Sequence, residues 1–208
     1  MKFRFPWLCL LAFGLFFAGC GGFIPPPQAD PTRYYVLADP VTAPLDNAIA
    51  GHLRIGLRPV ELAAYLKTPN LIVRQGTNEL VLEDYERWGE PLEAGVLRIL
   101  RERLLAAPEV GRVYTPPFPL DADRDYDVAV TLLRCEGGTA AGRGHAAQFA
   151  ATIEITTAGA DSRVVARRAF VAPAAAWDGK DFARLAALLS ADVDALGREV
   201  VAALPASP

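Results

Sequence analysis

Apolar residues recur along this chain with two periods, two residues and three to four residues, from about residue 33 onward. Arg33-Tyr34-Tyr35-Val36-Leu37 reads as a first strand, ended by Asp39-Pro40. Leu53, Ile55 and Leu57 alternate with Arg54, Gly56 and Arg58, the pattern of a half-buried strand. Pro59 and the short stretch 61–66 then turn the chain. Leu71–Arg74 and Glu79–Tyr85 flank Gln75-Gly76-Thr77-Asn78, which predicts a hairpin with a four-residue connection. Pro91 opens a helix at a position where its missing N–H costs nothing. Leu92, Val96, Ile99, Leu100 and Leu104 fall on one face of that helix, and Pro108 stops it.

The second half repeats the alternation. Val110–Thr115 is a short strand before the Pro-rich loop 116–119, and Tyr126, Val128, Val130 and Leu132 mark the next. Glycines between Gly137 and Gly144 predict a flexible hairpin turn. Phe149, Ala151, Ile153 and Ile155 alternate with polar or small residues, and Val164–Val171 follows a turn at 159–162. Asp181 is placed to cap a long helix whose buried stripe is Phe182, Leu185, Leu189, Val193, Leu196, Val200 and Leu204. The order is ββββ-α-ββββ-α. Two amphipathic helices cover only one face of such a sheet. The expected fold is therefore α/β in the α+β sense: a two-layer sandwich with a mixed, mostly antiparallel sheet and two main helices.

The pattern at the N-terminus is different. Lys2 and Arg4, with no acid nearby, precede an apolar run from Trp7 to Ala18, twelve residues long. A bilayer-spanning helix needs about 20 apolar residues. A basic start, a short apolar run and small residues after it define an export signal instead. The run ends in Phe17-Ala18-Gly19-Cys20, which resembles a bacterial lipobox, with cleavage between Gly19 and Cys20 and a diacylglyceryl group on the Cys20 thiol. Phe17 stands where Leu is usual. Gly21 after the cysteine, in place of Asp, favours sorting to the outer membrane. Residues 21–32 carry four prolines and form a tether that spans up to about 35–40 Å at full extension. The expected organisation is signal peptide 1–19, lipidated Cys20 and tether 20–32, one periplasmic domain 33–204, and a tail 205–208.

Composition narrows the function. The 208 residues are 52% hydrophobic, enough for a core, with net charge −3. Removal of the signal takes Lys2 and Arg4 and brings the charge to −5. That excludes a nucleic-acid binder that relies on a positive field. Of three cysteines only Cys20 and Cys135 remain in the mature chain, and Cys135 reads as a small buried hydrophobe.

Candidate chemistry is sparse. Ser162 lies in a turn and Ser190 within a helix, and neither sits in a G-x-S-x-G elbow. His52 and His145 have no ligand at metal spacing. Asp121, Asp123, Asp125 and Asp127 alternate, but the sixth and twelfth positions of a calcium loop are Tyr126 and Leu132. They read as a solvated acidic loop. No catalytic residue, metal site or cofactor is expected beyond the covalent lipid on Cys20.

Several local motifs converge. Tyr34-Tyr35-Val36-Leu37 follows the lipobox closely. Residues 55–66, IGLRPVELAAYL, precede Leu71-Ile72-Val73-Arg74. Arg87-Trp88-Gly89-Glu90-Pro91-Leu92 leads into the first helix, and Asp125-Tyr126-Asp127-Val128 opens a later strand. Together these resemble the ABC-type transport auxiliary lipoprotein family over about residues 33–204. Phe149 stands where that family favours Trp. The resemblance implies a non-catalytic envelope component that partners MCE-domain proteins and ABC transporters moving lipids between the two membranes. It carries over no catalytic residues. Tyr65 and Trp88 are the aromatic candidates for partner contact, since such residues are enriched in binding hot spots, although core or helix-entry packing is the favoured reading of both. Arg54 and Arg58 share the solvent side of their strand and are the charged candidates. Homo-oligomerisation is left open. Two further functions stay open. One is a lipid-binding carrier, in which Ala146, Ala147, Ala150 and Ala151 would leave room for phospholipid. The other is a lipoprotein activator of a cell-envelope enzyme.

Overall fold

The computed structural model describes residues 28–38, 51–119, 123–140 and 144–205. Gly19, Cys20, the signal segment, the tether as far as residue 27, Asp121 and tail residues 206–208 lie outside the described residues. The chain divides after Pro31 into an N-terminal unit and the unit Thr32–Pro208, and only the latter carries regular structure among the described residues.

Its elements are β1 (Arg33–Tyr35), β2 (Leu53–Leu57), β3 (Glu61–Leu62), a 3₁₀ turn (Ala64–Leu66), β4 (Asn70–Gln75), β5 (Glu79–Trp88), α1 (Leu92–Leu105), β6 (Val110–Tyr114), β7 (Tyr126–Ala140), β8 (Gly144–Thr157), β9 (Val164–Val171), β10 (Ala175–Ala176) and α2 (Phe182–Ala203). The longer elements follow the ββββ-α-ββββ-α order, to which β3 and β10, two residues each, are additions. β4 runs one residue further than the pattern predicts, so the hairpin connection is the three residues 76–78, with Gly76 at φ 63°.

β7 organises the sheet. Its 15 residues reach roughly 50 Å, about three times the length of an average strand. On one side it pairs antiparallel with β8 from Tyr126↔Thr157 to Ala140↔Gly144. On the other it receives, in parallel and in succession, β2 beside residues 126–128, β3 beside Thr131 and Leu132, and β4 beside Gly137 and Gly138. The chain from 53 to 75 thus climbs along β7 in three steps, and Pro59 and the 3₁₀ turn separate them. β6 pairs with β2, β5 with β4, and β1 with β5; β9 and β10 line the far side of β8. The long pairings are antiparallel and the parallel ones are short, as expected for this mixed sheet.

Alternation then sorts the side chains. Val128, Val130, Leu132, Phe149, Ala151, Ile153 and Ile155 meet Val96, Ile99, Leu100 and Leu104 of α1 and Leu185, Leu189, Val193, Leu196 and Val200 of α2 in one core. The Asp181 side chain accepts the Arg184 backbone N–H at 2.9 Å, so α2 is capped as its sequence predicts. Cys135 is buried, and burial pushes its thiol pKa well up. Ala147 and Ala151 lie within the core cluster and Ala146 is buried. Close packing uses these alanines.

The glycine cluster differs from expectation. Gly137 and Gly138 are strand residues of β7, not turn residues. A Cβ on Gly137 would lie 2.6 Å from the Trp177 ring and 3.1 Å from Leu185. Glycine is there for close approach, not for a turn. Gly144, at φ 77°, keeps the geometry of a turn, and Gly142 is outside the described residues.

Candidate functional site

Arg54 and Arg58 lie beside the N-terminal end of β7, because the parallel pairing of β2 with β7 brings residues 55–57 level with 126–128. The Arg54 backbone N–H donates to Asp125 Oδ2 at 2.7 Å and its Nη2 to Oδ1 at 3.1 Å. Hydrogen bonding to Asp125 raises the Arg54 pKa above its ordinary value. Arg58 Nη2 donates to Asp127 Oδ2 at 3.4 Å, and Arg124 Nε donates to the other oxygen at 2.8 Å. Asp127 is 5% exposed. The acidic run is therefore not a solvated loop at Asp125 and Asp127. Strand pairing puts these carboxylates opposite arginines that are distant in sequence, while Asp123 stays in solvent at 3.4 Å from Arg54 Nη1. Gly56 makes room for the arrangement, since a Cβ there would sit 2.2 Å from Asp127 Oδ1.

Tyr65 belongs to a second network. Its hydroxyl donates to the Leu133 carbonyl at 2.9 Å, and the Arg74 guanidinium lies 5.5 Å from its ring centroid. Arg74 in turn clamps Glu136, with Nε to Oε1 at 2.5 Å and Nη2 to Oε2 at 3.3 Å. Burial, with Glu136 nearby, pushes the Tyr65 hydroxyl up to about 12. No sequence signal joins Arg74 to Glu136, 62 residues apart. An acid beside Cys135 in an apolar run is the one oddity that could have drawn attention to it.

Trp88 closes β5 and is buried at 7% exposure, with its backbone N–H on the Pro69 carbonyl at 2.6 Å. Trp88 lines a surface cleft of about 410 Å³ between the start of β4 and the start of α1. Leu66, Pro69 and Leu92 are its other apolar walls, and Lys67, Glu90 and Glu93 bring charge to it. Glu90 is held by Arg98 at 2.7 Å. A recess of about 400 Å³ lined by Val60, Glu61 and Leu62 shares Lys67 and Glu93 with it. Apolar walls with a charged rim suit an apolar side chain of a partner whose flanks carry charge. Of the four candidate contacts, then, Arg54 and Arg58 sit together, Tyr65 stands on Arg74, and Trp88 lies in its own cleft.

Ser190 and His145, residue types that carry catalysis elsewhere, have structural partners here. Ser190 donates to the Ala186 carbonyl within α2 and accepts the Ala38 backbone N–H at 3.0 Å. His145 meets the edge of Trp177 with centroids 5.9 Å apart. Among the described residues no three His, Cys, Asp or Glu side chains gather to hold a metal ion, and no helix is long and apolar enough to cross a membrane.

A family model described as the ABC-type transport auxiliary lipoprotein component matches residues 35–201. Among solved structures, protein XCC0632 from Xanthomonas campestris is similar at 20% identity and a TM-score of 0.68, covering 82% of this chain and 93% of that one. A second crystal structure, of an uncharacterised protein, is similar at 20% identity and a TM-score of 0.57, covering 81% and 98%. At such identity both likenesses speak for the fold alone. The chain matches no curated protein.

Proposed function

Because the chain belongs to the ABC-type transport auxiliary lipoprotein family, we propose that it is an outer-membrane lipoprotein that docks an MCE/ABC-type intermembrane lipid transport system and does no chemistry itself. The match over residues 35–201, nearly the whole folded unit, carries this reading. The lipobox ending in Gly19-Cys20 supports anchoring through a lipid on Cys20, and Gly21 supports sorting to the outer membrane. The sequence offers a Pro-rich tether ahead of the folded domain, and the charged-rimmed apolar cleft at Trp88 supports a partner segment docking there. Arg54 and Arg58 would add contacts only by sharing their aspartates with the partner.

Crosslinking in the native envelope tests the proposal. A tag after Pro208 leaves the lipidated end free, and Cys20→Ser is the mislocalised control. Enrichment of an MCE-domain protein or transporter component with the wild type, reduced in the control, is the expected result. Capture of cell-wall synthases with no such component would overturn it in favour of the enzyme-activator role.

A further inference from the structure

The sheet edge formed by β1 and β5 carries an apolar patch that the docking function does not use. Tyr34 is 63% exposed, Val36 58% and Tyr85 55%. They lie on one face. In β1, Arg33 and Tyr35 both reach Glu86, at 2.9 Å and 2.6 Å, on the face opposite Tyr34, and fasten the strand to β5, with Arg33 itself still exposed. Tyr34 and Val36 therefore turn outward. Both flank Gly89, where a Cβ would lie 3.3 Å from Val36 Cγ1 and 3.8 Å from Tyr34 Cβ. Tyr34 pairs with Arg87. Along β5, Glu86 and Trp88 are buried while Tyr85 is exposed and Arg87 half-buried, so Tyr85, Arg87 and Gly89 share the outward face.

Only residues 21–32 separate Cys20 from β1. A tether of that length holds the domain at high effective concentration near the surface in which its anchor sits, so a weak patch suffices for contact. The patch stands on the first strand after the tether. Tyrosine suits a boundary that is apolar on one side and wet on the other, and Arg87, paired with Tyr34 and two residues from Tyr85, keeps Nη groups for head-group phosphates while its Nε donates to the Asp84 carbonyl. We propose that Tyr34, Val36, Tyr85 and Arg87 form a membrane-contact surface that seats the domain against the head-group region of its own anchoring bilayer. The occupant is the lipid surface, in preference to a second protein, because the patch lies where the chain arrives from its anchor. This inference rests on the Cys20 anchor but not on the identity of the transporter.

The test uses the full lipidated protein in phosphatidylethanolamine–phosphatidylglycerol vesicles. Tyr34→Cys, Tyr85→Cys and, on the opposite edge, Val171→Cys (73% exposed in the native residue) each carry an environment-sensitive fluorophore. Cys135, being buried, is shielded from labelling. The expected result is blue-shifted emission at positions 34 and 85, quenched by lipids with a nitroxide at the head group, and neither effect at 171. Equal, weak quenching at all three sites in protein that still floats with the vesicles overturns the surface while leaving the anchor intact. A blue shift without nitroxide quenching also overturns it, because the patch is then covered by protein. Failure to float removes the anchor, and the inference falls with it.

Discussion

Glu136 and Arg74 offer the sharpest test of how this sheet is held together. Glu136 is fully buried and the Arg74 side chain is 14% exposed, so the pair is almost out of water. Removing one partner of such a pair costs about 3–5 kcal/mol, chiefly because the other charge is left without a counterpart. The two truncations are not equivalent. Glu136→Ala leaves Arg74 with the Thr77 carbonyl at 3.1 Å, the Tyr65 ring and a sliver of solvent, which places it near the lower end, about 3 kcal/mol. Arg74→Ala strands a carboxylate with no exposure and also removes the guanidinium from Tyr65, worth about 0.5–1 kcal/mol, so it belongs near the upper end. The paired substitution Arg74→Met with Glu136→Leu should cost less than either single change, since no orphan charge remains. Urea unfolding at neutral pH reads all three as midpoint shifts at constant m-value. If each single change costs under about 1 kcal/mol and the two add, the pair is not desolvated and the reasoning is refuted.

Other perturbations follow from the same geometry. Gly137→Ala should destabilise by about 1–3 kcal/mol in denaturant titrations, because the new methyl meets Trp177 at 2.6 Å. Burial raises Asp192 from 3.8 to about 6. The folded state then holds more protons than the unfolded one between those values, so stability should fall as pH rises through that window. Asp192→Asn should remove the slope and gain about 1 kcal/mol at pH 7, allowing for screening at a half-buried site. Tyr35 and Tyr65 are both raised to about 12 from 10, burial being the larger cause in each. The unfolded chain ionises first, so stability should decline from pH 10 to 12, and tyrosinate absorbance should show two late-titrating groups that Tyr35→Phe and Tyr65→Phe remove one at a time.

Much of the fold is legible in the sequence, because each long element has a periodicity of its own. The stripe on α2, from Leu185 to Val200, and the alternation of Phe149 to Ile155 are buried as their spacing demands. The failures share one cause: partners supplied by pairing, which period alone does not reveal. Gly137 signals a turn equally well as a close approach, and only Trp177 above it decides. The aspartates of 123–127 read as solvated until β2 brings Arg54, 71 residues away from Asp125, alongside. β10 is too short to have a period, yet it sets Trp177, whose Nε1 donates to the Asp181 carbonyl at 2.6 Å, at the entry to α2. Residue type singles out Tyr65 and Trp88, and type does not distinguish a half-buried stack on Arg74 from the wall of a cleft.

Internal pairing also limits where recognition can occur. Arginine and tryptophan are the residues that hot-spot chemistry singles out, and this fold engages most of its own internally. Arg54 and Arg58 are bound to Asp125 and Asp127, Arg74 to Glu136, and Arg103 and Arg198 both to Asp194. A partner that recruits such an arginine must leave its buried carboxylate satisfied or bear the cost of stranding it. Asp127 and Asp194 are nearly buried and each is held by two arginines, so recruiting one guanidinium removes a hydrogen bond from a desolvated carboxylate even though its second arginine stays. Sites whose engagement breaks nothing are therefore favoured: the cleft at Trp88, already open to solvent, and the outward face of β1 and β5. Substituting Arg58 should thus lower stability before it alters binding, whereas Lys67→Glu at the cleft or Tyr34→Ser at the edge changes an exposed side chain that other parties can touch. A binding deficit in Arg58→Ala that exceeds one in a cleft variant, at equal thermal stability, would reverse this ranking.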